Sequence, residues 1–386
     1  MHICFVEVGY PRPSGIVGGA GTYVKNYGKQ LVKMGHEVTV ICGRMDNGTD
    51  FFRDDGISVF PIICPNVAAY YLSRIPFFRI YSKAFNYIFT GLKTYLFLKI
   101  LNSKNKIDLV EYSEGGDFWN SITKKFRYIS NLHGSAYTFK QNSGQGANRT
   151  DLVHRKLEHY FIKKAEKVIV QCKAMAHMIE NEMGHKLKVH VIPYPIDGKY
   201  FKLIQHNNIN LNKGKISVLF ASRNDKVKGG ELFVNCLKQL DNEYKSIIGV
   251  DFFGYKPDQD VSNLDFLTLH DFVPKNKLKL AYEKTDICVV PSFFDISPNT
   301  VYEAMASGKI IVASAVGGIP EIVNEPQNGF LFNKCDLDDF TKKLTKAIDL
   351  VLSGNDIQLR KNAQEKIMSI SNIEKNVQKR LKLLQE

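Results

Sequence analysis

The chain has a single Trp in 386 residues, no Cys-x-x-Cys pair, and no acidic residue between Gly56 and Ile107. Its Cys residues (Cys4, Cys42, Cys64, Cys172, Cys236, Cys288 and Cys335) are odd in number and unclustered. That pattern argues against a disulfide framework or a zinc site and predicts reduced thiols. No run of about 20 mainly apolar residues occurs, so no membrane-spanning helix is expected. The longest uncharged stretch, Gly56 to Ser73, is broken by Pro61, Pro65 and Asn66. The opening Met-His-Ile-Cys-Phe-Val-Glu has no basic segment followed by an apolar one, so we expect no secretory leader and a cytoplasmic location.

Apolar residues make up 44% of the chain and charged residues 24%, which excludes a disordered, collagenous or coiled-coil chain. Net charge is +13, unevenly spread: residues 1–195 hold 26 Lys+Arg against 15 Asp+Glu, and residues 196–386 hold 26 against 24. The acid-free stretch carries Arg74, Arg79, Lys83, Lys93, Lys99, Lys104 and Lys106, with ten Phe and Tyr residues between Tyr70 and Phe97. Two readings fit residues 70–106. One is an interfacial helix on an anionic leaflet; the other is a partly buried helical pair with a solvated basic edge. No nucleic-acid-binding motif accompanies the charge, so a nucleic-acid partner is not expected.

Short apolar runs alternate with helical patterns. In the first half, strands are predicted at His2–Val8, Glu37–Cys42, Asp108–Tyr112, Arg127–Leu132, Lys167–Gln171 and Val189–Ile192. The pattern restarts after Pro193–Gly214, with strands at Ile216–Ala221, Ser246–Phe253, Leu264–Leu269, Ile287–Val290 and Ile310–Ala313. Helical patterns fill the end of the chain. This alternation predicts an α/β protein with two doubly wound parallel sheets. We expect domains at 1–195 and 196–370, with a helix over 371–386 crossing back to the first.

In such sheets ligands bind beyond the carboxyl ends of strands, so residues just after strands carry the chemistry. Gly18, Gly19 and Gly21 follow the first strand, but there is no P-loop Lys, Val24 stands where a Gly-x-Gly-x-x-Gly pattern starting at Gly19 needs its last glycine, and the second strand delivers no acid at its tip. The loop reads either as an anion site or as a plain strand–helix turn. A dinucleotide oxidoreductase fails on those same two counts. Arg223 and Lys228 stand in a polar loop before a helix, where two cations could neutralise a diphosphate or simply face solvent.

The densest segment runs from Val289 to Gly308. Ser297-Pro298 predicts an N-cap followed by the first helical residue. The N–H groups of Asn299 and Thr300 would then be free to receive a phosphate. Asp295 and Glu303 flank that cradle, and a carboxylate accepts hydroxyl hydrogen bonds well. Asp258-Gln259-Asp260 and Asp336-Leu337-Asp338 are explained by turns and caps rather than a metal, and His154, His159 and His177 lack ligand spacing.

Asp295 through Glu303, with Pro291-Ser292 before and Ala304-Met305-Ala306 after, resembles the Glu-x7-Glu signature of retaining GT-B glycosyltransferases of family 4. Gly18-Gly19, Gly35-His36-Glu37, His133-Gly134, Val191-Ile192-Pro193 with Asp197, Arg223 with Lys228, and Gly317-Gly318-Ile319-Pro320-Glu321 follow that family's order. The resemblance implies two Rossmann-like domains facing across a cleft. Arg223 and Lys228 would bind the donor diphosphate, and Glu303 the donor ribose. Asp295 would bind the transferred sugar, and Asn299 and Thr300 the diphosphate and sugar through their backbone. Gly18 and Gly19 would close on the phosphates, His133 would sit beside the sugar, and the base would lie against Phe272-Val273. Glu114 or Asp117 could orient an acceptor hydroxyl, or serve as a loop acid or helix cap.

The resemblance further implies transfer of a sugar from a nucleotide-diphosphate sugar; the basic aromatic stretch in the first domain points to a saccharide or lipid-linked acceptor of a surface polymer, and the abundance of Lys, Asn and Ile to a bacterial source. The resemblance implies no cofactor and no metal. A peripheral position on the inner face of the plasma membrane goes with the basic aromatic stretch. Asp295 stands where the family has Glu, Ile296-Ser297-Pro298 where Gly-Phe-Gly is common, and Tyr194-Pro195 where Asn-Gly is usual. A catalytically inactive nucleotide-sugar binder is the alternative.

Overall fold

The structure, a computed structural model, describes residues 1–11, 18–43, 51–63, 70–71, 74–196, 198 and 214–385. Gly15, Cys64, Asp197 and most of the Pro193–Gly214 connection lie outside the described residues. The chain divides into two compact units: Met1–Pro195 with Ile373–Glu386, and Ile196–Asn372.

The first unit holds β1 (His2–Val6), β2 (Glu37–Gly43), β3 (Phe52–Asp54), β4 (Ile57–Ile63), β5 (Leu109–Ser113), β6 (Tyr128–Leu132), β7 (Lys167–Val170) and β8 (Val189–Val191). They form one sheet in the order β3-β4-β2-β1-β5-β6-β7-β8. All its pairings are parallel except β3 with β4. Alternate residues of β1 feed opposite faces. Ile3 and Phe5 join one apolar core, and Cys4 packs in the other. Burial on both faces is what makes these strands continuous apolar runs.

β3 and β4 fall where no strand was expected. They form a hairpin turned by Asp55 and Gly56, both left-handed at φ 50° and 85°. Asp-Gly suits such a two-residue turn, because its twist matches that of the flanking strands. Within the first unit, the helix Ile373–Gln385 lays Val377, Leu381 and Leu384 into the core that holds Ile3 and Phe5. Each such burial contributes about 1.5–3 kcal/mol. Asn376 Nδ2 donates to Pro193 O at 3.0 Å and Lys379 Nζ to Val191 O at 3.2 Å.

The second unit holds β9 (Ile216–Ala221), β10 (Ile248–Phe253), β11 (Leu267–His270), β12 (Ile287–Val290), β13 (Ile310–Ser314) and β14 (Phe330–Phe332). The order is β11-β10-β9-β12-β13-β14, all parallel. This is the doubly wound order in which the first and fourth strands are neighbours and the connections diverge between them. Val218 and Phe220 of β9 face one core, and Leu219 and Ala221 the other. The three-residue β14 was not anticipated from the sequence.

Candidate active site

In the second unit the connections diverge between β9 and β12, and the loops after both strands meet there. Ser222–Gly229 follows β9, and Pro291–Pro298 follows β12. Phe293 N donates to Val227 O at 2.8 Å, joining the loops through their backbones. Gly229 has φ 74°, and a Cβ there would lie 1.9 Å from Pro291 O, so the junction admits only glycine.

Lys228 Nζ lies 2.5 Å from Asp295 Oδ2. Their side chains are 21% and 13% exposed, so the pair is shielded from water more than a surface bridge would be. Arg223 is exposed at the start of the same loop, where its carbonyl accepts from Asp225 N at 2.7 Å. The Asp295 carbonyl is held by Gly318 N at 3.3 Å. A Cβ on Gly317, at φ 52°, would lie 1.7 Å from that oxygen. The Gly317-Gly318 pair therefore fixes the height of the Asp295 loop.

The helix Asn299–Ala306 starts one residue later than expected. Pro298 occupies the N-cap position, and no side chain caps the helix. Ser297 does not cap, because its hydroxyl donates to Tyr302 Oη at 3.1 Å. The Pro298 carbonyl accepts from Val301 N at 3.0 Å, and among the described residues the N–H groups of half-buried Asn299 and Thr300 have no backbone partner. Free N–H groups at a helix N-terminus favour an anion. Glu303, 4% exposed, lies in the middle of this helix and accepts from Tyr282 Oη at 3.4 Å. Phe272 and Val273 follow β11, with the Phe272 ring 46% exposed beside Gly254.

The two Asp-x-Asp segments do local work. Asp258 pairs with Lys226 at 2.7 Å, Asp260 accepts from Ser262 N at 2.9 Å, and Asp336 caps its helix by accepting from Asp339 N at 2.9 Å.

In the first unit the matching divergence lies between β1 and β5. Gly18 precedes the helix Gly19–Lys33 at an ordinary φ of −73°, and a Cβ there would meet nothing within 4 Å. Among the described residues, no packing contact requires glycine at that position. Glu114, after β5, accepts from the N–H groups of His133 and Gly134, the latter at 2.5 Å, and so ties the loops after β5 and β6 together. Burial, with Glu158 nearby, pushes the Glu114 carboxyl up to about 8 despite Arg155.

His133 Nδ1 lies 2.5 Å from Tyr194 Oη, while Nε2 is buried without a hydrogen-bond partner among the described residues. Burial, with the charge on Arg380, holds this imidazole down at about 3, so the ring is neutral. Asp117 caps the helix Phe118–Thr123, accepting from Asn120 N at 2.7 Å, and is 2% exposed. Burial raises its carboxyl to about 7. A Cβ on Gly91 would lie 2.4 Å from Asp117 Oδ2, so a neighbouring helix covers it.

Sequence reasoning missed two buried arginines. Arg380, on the last helix, lies 2.6 Å from Glu111 of β5, with both side chains 2% exposed. Its guanidinium stands over the rings of Tyr23 and Tyr27 at 5.4 and 4.9 Å. Tyr23 also lies 5.4 Å from the His133 ring and 5.3 Å from that of Tyr194. Arg155, 1% exposed, meets Glu182 at 2.7 Å, Glu158 at 3.0 Å and Glu114 at 3.7 Å. In sequence both read as polar-face cations of amphipathic helices; Glu158, three residues after Arg155, was the one local hint.

Residues 17–199 match the family model Glycosyltransferase Family 4, and residues 215–349 match Glycosyl transferases group 1. Spore coat protein SA of Bacillus subtilis is 31% identical over 137 residues, which cover 31% of this chain and 36% of that protein. The chain thus spans about a third of the length of that curated relative. Among solved structures, sucrose-phosphate synthase from Thermosynechococcus elongatus superposes with a TM-score of 0.78 at 19% identity, over 100% of this chain and 98% of that one. Anabaena HepE in complex with UDP-glucose superposes with a TM-score of 0.67 at 17% identity, over 100% and 99%. With both halves matched in chain order and two parallel-sheet domains folded as in these structures, the chain belongs to the GT-B glycosyltransferases, a family 4 domain followed by a group 1 domain.

Proposed function

We propose that the chain is a retaining, metal-independent glycosyltransferase that moves a sugar from a nucleotide-diphosphate sugar to a saccharide or lipid-linked acceptor. One observation carries this reading. The half-buried Lys228–Asp295 pair and the uncapped N-terminus of Asn299–Ala306 stand on loops that meet where the second sheet's connections diverge. A diphosphate needs cations and N–H donors together, and a sugar needs a carboxylate beside them. HepE, on the same fold, was solved with UDP-glucose, which favours a nucleotide-sugar donor here.

In this reading Lys228 and Arg223 take the diphosphate, with the N–H groups of Asn299 and Thr300. Glu303 holds the ribose, Asp295 the transferred sugar, and Phe272 with Val273 lines the place of the base. The open space at Gly18, with Gly19, admits phosphate close to backbone. The neutral His133, with Nε2 unpartnered, suits a hydrogen bond to a sugar hydroxyl. Glu114 positions His133, whereas Asp117, buried as a cap, holds its helix.

The bond from C1 to the diphosphate oxygen breaks as charge grows on the leaving group. Fixed cations and a helix N-terminus stabilise that charge. Holding both reactants supplies proximity. The acceptor oxygen bonds to C1 on the same face, and its proton passes to the departing phosphate oxygen. A bacterial surface polysaccharide or glycolipid is the product class we favour, made at the inner face of the plasma membrane.

The test is incubation with a panel of nucleotide sugars and simple acceptors. We expect one donor to raise the melting temperature by mass action and to yield free nucleotide and a glycoside of unchanged anomeric configuration. An inverted product would refute retention. Donor binding without turnover would favour the inactive binder, and hydride transfer would favour the oxidoreductase.

A further inference from the structure

The segment 74–81 carries an exposed apolar cluster beside a basic helix. Ile75 is 47% exposed, Phe77 75%, Phe78 36%, Ile80 36% and Tyr81 39%. Five large apolar side chains so close together exceed the scattered exposure normal on a soluble surface. The cluster is ordered: Phe78 N and Arg79 N both donate to Ile75 O at 3.0 Å, and Tyr81 N donates to Phe78 O at 3.0 Å. Satisfied backbone groups of this kind can enter an apolar medium at low cost. The rings of Phe77 and Phe78 meet edge-on at 5.5 Å, and Phe78 reaches Phe85 of the following helix at 6.2 Å.

That helix, Ser82–Lys104, buries Tyr95 and Leu98 against the first sheet. Its opposite stripe is exposed at Phe89, Lys93, Leu96 and Ile100, which recur at helical spacing. Arg79, Lys99, Lys104 and Lys106 are exposed alongside. Lys83 is excluded from this set because it pairs with buried Asp151. No acidic residue interrupts residues 57–106, and among the described residues no helix is long and apolar enough to cross a membrane.

We propose that this face docks on an anionic phospholipid surface, with Phe77 and Phe78 entering the headgroup boundary and the flanking Arg and Lys meeting lipid phosphate. Charge complementarity selects this occupant. A second copy of the chain would bring one acid-free basic face against another, and a neutral apolar partner would leave the cations unanswered. The lipid-linked acceptor in the proposed function gives the surface its purpose, and the inference rests on that reading to this extent. Vesicle binding is measured without donor or acceptor, so either can fail alone.

The experiment is flotation of the full chain with equimolar phosphatidylcholine–phosphatidylglycerol vesicles and with phosphatidylcholine alone. We expect a preference of at least about tenfold for the anionic vesicles, falling with salt. Phe77→Ser with Phe78→Ser, and separately Arg79→Glu with Lys99→Glu, should each lower binding about tenfold with unchanged circular dichroism and melting temperature. Phe77→Trp should show blue-shifted emission on the anionic vesicles. Absence of flotation, equal binding to both vesicle types, or variants that bind like wild type would overturn the proposal. So would a self-associated species that vanishes in the Phe variants while vesicle binding persists, since a second copy would then be the occupant.

Discussion

Lys228 and Asp295 form an ion pair, 2.5 Å between Nζ and Oδ2, that joins the loop after β9 to the loop after β12. The protein thus keeps a carboxylate on the cation that a donor diphosphate would claim. In the proposed reaction, donor binding recruits Lys228 to phosphate and frees Asp295 for the sugar.

Replacing Lys228 by Ala therefore removes a fixed charge from the leaving-group side. We expect turnover to fall by about 10²–10³ or more while the protein stays folded, as when one preorganised donor is lost. Steady-state rates beside a thermal melt check this, and near-normal turnover would place the diphosphate elsewhere.

In the proposed reaction Glu303 holds the donor ribose and does not touch the reacting bond. Glu303→Ala should reduce kcat/KM for the donor by about tenfold to a hundredfold, since hydrogen bonds to a charged group contribute about 1.5–3 kcal/mol. Much of the loss should appear in KM. The same variant should lose most of the stabilisation that donor gives the wild type in a thermal shift; unchanged donor stabilisation would remove Glu303 from the site.

Glu114 makes the melting temperature depend on pH. Its folded carboxyl sits at about 8 against an ordinary 4.5, so the folded state keeps a proton that the unfolded chain releases. Its contribution is complete below about 4.5 and is lost as pH rises through about 8. Asp117, raised from 3.8 to about 7, acts with the same sign. His133, lowered from 6.5 to about 3, acts oppositely, costing stability as pH falls below its ordinary value. Melts of Glu114→Gln should decline less than wild type between pH 5 and 8. A parallel pair of curves would show that Glu114 titrates as an ordinary carboxyl.

Arg380→Met should destabilise the protein by about 3–5 kcal/mol, because it leaves Glu111 buried and unpaired. Adding Glu111→Gln should recover much of that loss, and denaturant melts of the four combinations measure the coupling. Additive effects would mean that the two groups do not depend on each other.

The alternation of apolar runs predicted most strands because a strand buried on both faces has to be apolar throughout. β4 escaped because Pro61 and the uncharged surroundings of Ile57–Ile63 read as a broken stretch. The Asp55-Gly56 turn that pairs it with β3 was visible and went unused. Asp295, Glu303, Lys228 and His133 stood out because each follows a strand in a loop or opening helix. Their partners did not. Tyr282 on Glu303, Tyr194 on His133 and Glu114 under the His133–Gly134 turn are joined across 21, 61 and 20 residues.

By itself the sequence determined the two parallel sheets and the loops that follow their strands, since periodic burial and strand-to-helix turns are written in local residue order. Tertiary structure alone decided which charges are buried and with whom. A helix pattern marks Arg380 and Arg155 as polar-face residues, and only folding brings Glu111 to one and Glu182 to the other. The cost of a buried charge depends on partners within a few ångströms, and those partners arrive from distant parts of the chain.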